Sequence, residues 1–229
     1  MIPLKDLTPR QRFPIVTLLL IAANIAVFAH QISLPQKASD AFIKQYALTP
    51  YNIQQALAGH HYSLEAALLP VVTCMFLHGG LLHIAGNMLF LLVFGGNVED
   101  RFGPIGYLIF YFVCGIGSGL TQVYFSWGSH IPSLGASGAI SGVLGAYMIF
   151  FPTSRILTLV PLLFFWFLAR IRAIFFIGLW FLIQFLSGLG SLSSASTTGG
   201  VAWWAHIGGF LIGMLIALVV RVVNPKSSR

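Results

Sequence analysis

Apolar residues in this chain gather into unbroken runs, parted by short polar links, and the runs do not alternate between apolar and polar positions. They cover about 13–29, 82–98, 106–125, 137–151, 173–186 and 204–223. A run of nearly twenty apolar residues predicts a membrane-spanning helix, since lipid offers the backbone no hydrogen-bond partners and a helix satisfies its own. The other closed structure in lipid, a β-barrel, needs short alternating segments. The expected fold is therefore all-α, a polytopic bundle of six transmembrane helices. Its parts are an N-terminal segment 1–12, a membrane domain 13–223 with an outer loop 31–77, and a tail 224–229. A cleavable signal peptide competes for the first run, and Val27-Phe28-Ala29 resembles a cleavage site. The run is long for such a peptide and contains Asn24, which favours an uncleaved span.

The links carry their own expectations. Prolines at 35, 50 and 70 break the loop 31–77, and 41–48 and 53–57 read as short amphipathic helices at an interface. The stretch 156–168 is apolar but short, interrupted by Pro161 and followed by Arg170 and Arg172, so it reads as an interfacial or re-entrant connector. Residues 187–200 form a small-residue loop.

Composition sharpens this picture. The chain is 57% hydrophobic and 7% charged, with mean hydropathy +0.88, far from the balance of a soluble domain. Its formal charge of +7 is spread between the runs and is not gathered with aromatics into a nucleic-acid patch. With an inner N-terminus, ten of the twelve Lys and Arg residues fall on the inner side, leaving only Lys37 and Lys44 outside. That bias predicts cytoplasmic termini. Cys74 and Cys114 have no metal-like spacing and read as small packing residues.

Topology then selects the polar residues that can meet. The second, fourth and sixth spans all enter from outside, so His83 with Asn87, Ser137, and His206 share one depth near the outer leaflet. Polar groups in a membrane are costly and usually face a bundle interior or a wet cavity. Ser137 starts its helix, where a hydroxyl caps free N–H groups or serves as a nucleophile beside an anion-favouring dipole. The fourth span rises only about 22 Å at ~1.5 Å per residue, so its outer end starts below the membrane surface. Small residues recur every fourth position at Gly138, Gly142 and Ala146, and again at Gly209, Gly213 and Ala217. Two such faces let helix backbones approach closely, which would bring His206 within hydrogen-bond reach of Ser137. His83 and Asn87 lie one turn apart and can both donate toward an oxyanion.

Bland readings stand beside these. A single histidine in a span is more often a satisfied bundle residue than a base, and His78 suits a loop-ordering role. His30, His60, His61 and His130 lie in loops. A metal site from His78, His83 and His206 would lack both a His-Glu-x-x-His pair and a carboxylate in the outer half of any span. No metal or other cofactor is expected. The five acidic residues lie in loops or at span ends, which argues against an aspartyl dyad and against a proton-coupled transporter.

Taken together, Gly135-Ala-Ser137-Gly138, His206 with Gly209-x-x-x-Gly213, and His83-x-x-x-Asn87 resemble the rhomboid intramembrane serine proteases. His78-Gly-Gly before His83 and Glu99-x-Arg101 after the second span extend the resemblance over nearly the whole chain. It implies peptide-bond hydrolysis in or beside transmembrane segments of other membrane proteins, in a multi-pass protein of a prokaryotic cell membrane. Ser137 would be the nucleophile and His206 the general base. His83, Asn87 and the Ser137 N–H would form the oxyanion hole. Gly135, Gly138, Gly142, Gly209 and Gly213 would support the helix packing. The outer loop would lie partly in the leaflet, and the fifth span with 187–200 would gate substrate. One departure is Ser141, where some members place an aromatic residue against the catalytic histidine. The expected partners are transmembrane protein substrates and the bilayer, not nucleic acid. The rival reading is an inactive rhomboid-like protein that binds and escorts transmembrane helices.

Overall fold

The computed structural model describes residues 1–60, 63–162, 165–193 and 201–223. A strand, β1 (Ile2–Asp6), precedes α1 (Ile15–Ser33). Three short helices follow: α2 (Gln36–Tyr46), α3 (Pro50–Leu57) and α4 (Leu64–Thr73), the last passing into a 3-10 turn at Cys74–Phe76. Next come α5 (Leu81–Phe102), α6 (Pro104–Phe125) and α7 (Ser137–Phe150). A hairpin of β2 (Arg155–Leu162) and β3 (Phe165–Arg172) leads to α8 (Ala173–Ser193) and α9 (Trp203–Val223).

Among the described residues, α1, α5, α6, α8 and α9 are long and apolar enough to cross a membrane, and α7 has 14 residues. The protein is an integral, multi-pass helical bundle with α7 at its centre. Every residue from Gly138 to Tyr147 is buried, while α1 and α8 expose large apolar side chains such as Leu19, Ile25, Phe175 and Leu186. A helix apolar on all sides belongs inside a bundle, and apolar perimeters belong against lipid.

The small-residue faces act as their spacing predicts. A Cβ on Gly209 would collide with the carbonyl oxygen of Gly138, and one on Gly213 with the backbone of Gly142. From the other side, a Cβ on Gly145 would meet the Phe210 carbonyl. Helices α7 and α9 thus touch backbone to backbone, a separation that only residues without side chains permit.

At the opposite end from Ser137, Glu99 of α5 ties down the start of α1. Its carboxylate accepts from the Val16 N–H at 2.9 Å, the Thr17 N–H at 2.8 Å and the Thr17 hydroxyl at 2.8 Å. A carboxylate there satisfies orphan N–H groups and suits the helix dipole. Asp100 likewise accepts from the Gln11 N–H at 2.8 Å, and α5 runs to Phe102, beyond the expected end of the second span at 98.

Several expectations for the links require correction. The stretch 156–168, expected as an interfacial or re-entrant connector with no strand assigned, is most of a hairpin: β2 and β3 pair antiparallel from Arg155↔Arg172 to Leu162↔Phe165. The segment 1–12 supplies the third strand, with Ile2↔Leu159 and Asp6↔Ile156 in register on either side of an irregularity between Pro3 and Lys5. Ile156 and Thr158 face inward, whereas Phe165, Trp166, Phe167 and Leu168 are exposed. Period alone does not separate a short apolar helix from a buried or lipid-facing strand. The helices of the outer loop start earlier than 41 and 53, and Pro70, expected as a break, lies inside α4. Helix α8 continues through the first half of the expected loop, to Ser193. Residues 194–200, the tail 224–229 and His61 lie outside the described residues.

Candidate active site

The loop before α7 is held from two sides. Leu48 and Ser133 exchange both backbone hydrogen bonds, at 3.0 and 2.8 Å, and the Gly135 N–H donates to the Cys74 carbonyl at 2.8 Å. Gly135 adopts φ +125°, a conformation that L side chains rarely take. The same glycine lies under two polar groups of α5. A Cβ there would stand 2.8 Å from His83 Nε2 and 3.5 Å from Asn87 Nδ2.

Ser137 then opens α7. The cap position belongs to Ala136, and no side-chain cap bond forms. The capping reading of Ser137 therefore fails: its Oγ lies 2.8 Å from His206 Nε2. His206 is buried in the first turn of α9, held at this height by the glycine contacts one turn below. The Ser141 hydroxyl, one turn below Ser137, donates to the Ser137 carbonyl at 2.6 Å and so does not face the imidazole. Aromatic contact comes from elsewhere. The Trp180 ring of α8 stands 6.0 Å from the His206 ring, and Trp203 stands 6.3 Å away edge-on.

On the far side of the imidazole, Nδ1 lies 2.7 Å from Gln184 Oε1. Gln184 is buried in α8, the third helix to reach His206. The sequence reading passed over both Trp180 and Gln184. Gln184 did leave a signal, as an uncharged polar residue inside an apolar span, where such groups tend to face a functional interior.

His83 accepts from the Gly79 N–H through Nδ1 at 3.3 Å, and Asn87 Nδ2 is buried without a hydrogen-bond partner. His78 is fully buried behind them, between the rings of Phe28 and His83. Its backbone is clamped by Gln31 of α1, which donates to the His78 carbonyl at 2.8 Å and accepts from its N–H at 3.3 Å. His83, Asn87, Ser137, Trp180, Gln184 and His206 all face one cavity of about 580 Å³. A hydroxyl, an imidazole and spare N–H donors around one space can carry out acyl transfer.

The Rhomboid domain family model matches residues 65–222, from the first turn of α4 to the last of α9. The chain belongs to the rhomboid family. Among its rhomboid relatives, RHOMBOID-like protein 1 of Arabidopsis thaliana is 27% identical over 233 residues, covering 93% of this chain and 55% of that protein. RHOMBOID-like protein 2 of the same plant is 34% identical over 156 residues, 68% of this chain and 43% of that protein. A shorter match of 78 residues, 35% identical, covers 34% of this chain and 22% of Inactive RHOMBOID-like protein 8, also from Arabidopsis thaliana. The chain spans about half the length of the curated rhomboids it matches. These relatives come from a plant, so they lend no support to the prokaryotic membrane expected from the sequence.

Proposed function

We propose that this rhomboid is an intramembrane serine endopeptidase that hydrolyses peptide bonds in or near transmembrane segments of other membrane proteins. One observation carries the reading: Ser137 Oγ and His206 Nε2 lie 2.8 Å apart, within a cavity in a membrane bundle. Family membership alone does not decide it, since a relative named inactive also matches.

In this mechanism His206 Nε2 takes the hydroxyl proton as Ser137 Oγ attacks the scissile carbonyl carbon. Negative charge develops on the carbonyl oxygen at the start of α7, where the helix dipole favours it. Because Nδ1 of His83 accepts from Gly79, its neutral ring carries the hydrogen on Nε2. That N–H, the unpartnered Asn87 Nδ2 and the Ser137 N–H are the donors for the oxyanion. His206 then returns its proton to the leaving amine, and water from the cavity cleaves the acyl-enzyme. A stable substrate helix hides its carbonyls in hydrogen bonds, so substrates need a locally unwound segment. With both termini cytoplasmic, as the charge bias favours, that segment lies near the outer leaflet.

A fluorophosphonate probe followed by intact mass tests this in purified protein, alongside cleavage of a transmembrane peptide in lipid. The expected result is one adduct and cleavage for wild type, and neither for Ser137→Ala or His206→Ala. Folded wild type that binds the peptide in lipid without adduct or cleavage would establish the helix-escorting reading in its place.

A further inference from the structure

We propose that Gln184 is a positioning residue for the base: its side-chain carbonyl accepts the hydrogen of His206 Nδ1 and thereby keeps Nε2 free to accept from Ser137. This rests on the Ser137–His206 reading above. A neutral imidazole carries one hydrogen on two nitrogens, and only the bare nitrogen can act as base. Nothing in Ser137 itself decides which nitrogen that is, because a hydroxyl both donates and accepts. A carbonyl oxygen only accepts. With Gln184 Oε1 at 2.7 Å from Nδ1, the hydrogen belongs on Nδ1 and the lone pair points at Ser137 Oγ.

Burial and placement agree with this role. Gln184 is 8% exposed, in a helix whose neighbours Ile183, Phe185 and Leu186 are exposed apolar residues. An amide turned inward from a lipid-facing helix needs a polar partner there, and His206 supplies it. Trp180 lies one turn before Gln184 on the same face and flanks the same ring. Helix α8 therefore provides both a wall and an acceptor for the imidazole, the two tasks that fix its rotation and its tautomer.

The acceptor is uncharged, which sets it apart from a carboxylate. When His206 takes the serine proton, the Nδ1–H···O bond becomes charge-assisted and strengthens, but no ion pair forms. The titratable group that faces the imidazole across the cavity is His83 of α5. Ser137 of α7, Gln184 and Trp180 of α8, and Trp203 of α9 lie against the imidazole and do not titrate near neutral pH, while α6 meets α9 beside it through Thr121 at Gly208 and Gln122 at Ala205.

The test is the rate of fluorophosphonate labelling against pH, in lipid, with the full chain as wild type, Gln184→Leu, Gln184→Glu and Ser137→Ala, together with thermal melting of each. Gln184→Leu is expected to lower the plateau rate about 100-fold, the low end of what general-base catalysis supplies. Its acid limb should shift to lower pH, because the imidazolium loses its acceptor. Gln184→Glu restores an acceptor and adds a negative charge that favours the imidazolium. It should recover most of the rate and move the acid limb about one pH unit higher. Equal losses in both variants with the wild-type midpoint unchanged would mean that Gln184 only fills space, and the positioning role falls. So would a Gln184→Leu protein with wild-type rate and midpoint. Wild type that labels no faster than Ser137→Ala would overturn the Ser137–His206 reading itself, a result distinct from either.

Discussion

Toward α9, α7 packs through glycine backbones with nothing between them, whereas at its Tyr147 end it meets α5 and β1 through side chains of full length. Near Ser137 the shape is set by the absence of Cβ atoms at Gly138, Gly142, Gly209 and Gly213. Near Tyr147 it is set by polar groups: the Tyr147 hydroxyl donates to Asp6 at 2.7 Å, Asn97 donates to the same carboxylate, and the Phe94 and Phe151 rings pack against the phenol. Backbone contact leaves almost no freedom to slide, which suits a hydroxyl and an imidazole that must stay in hydrogen-bond range. Side-chain contact tolerates adjustment, since rotamers can shift around a lost group. The first end holds Ser137 and His206 within reach of each other, and the second ties α7 to the N-terminal strand.

The strongest break in this contrast is Gly209→Val. Its Cβ is directed at the Gly138 carbonyl, so the helices must part, at a cost of about 3 kcal/mol or more. Serine labelling is expected to vanish and the melting temperature to fall, although Ser137 and His206 both remain. Next in size is Glu99→Ala, which leaves the Val16 and Thr17 donors without their acceptor and costs about 2–4 kcal/mol. Here the melting temperature drops while the protein that stays folded labels at the wild-type rate. Smallest is Tyr147→Phe, which removes one donor from Asp6 at a cost of about 1 kcal/mol, read as a slight drop in denaturation midpoint with labelling unchanged. If Tyr147→Phe slowed labelling as Gly209→Val does, the two ends would not be separate, and the contrast would collapse.

Much of this arrangement was legible in residue order because it depends on spacing along helices. Four-residue repeats of small residues, and polar residues at matching depth in alternate spans, already bring Ser137 and His206 together before any coordinate is known. The three-stranded sheet was not legible. Its pairing joins residues 2–6 to 156–159, and nothing local in Ile-Pro-Leu-Lys-Asp announces a distant partner. The β2–β3 hairpin hid for a different reason, since an apolar run of its length suits helix and strand alike. Gln184 hid because its meaning depends on the rotation of α8 about its axis, which one amide in an apolar run leaves open. Ser141 illustrates the same limit from the other side: the sequence showed that no aromatic stands there, and only the fold showed Trp180 taking up the contact from another helix.

The sheet also puts the chain's assembly in an order. During synthesis β1 emerges first, but its partner β2 follows only after α1 through α7 have been made, about 150 residues later. The start of α1 waits too, for the Glu99 carboxylate at the far end of α5. Contacts this distant close late, because the entropy of the intervening loop must be overcome before they form. Residues 2–6, made long before their partners at 156–159, are thus among the last of the described residues to find their place. Their docking cannot precede the making of the central helix, with its serine.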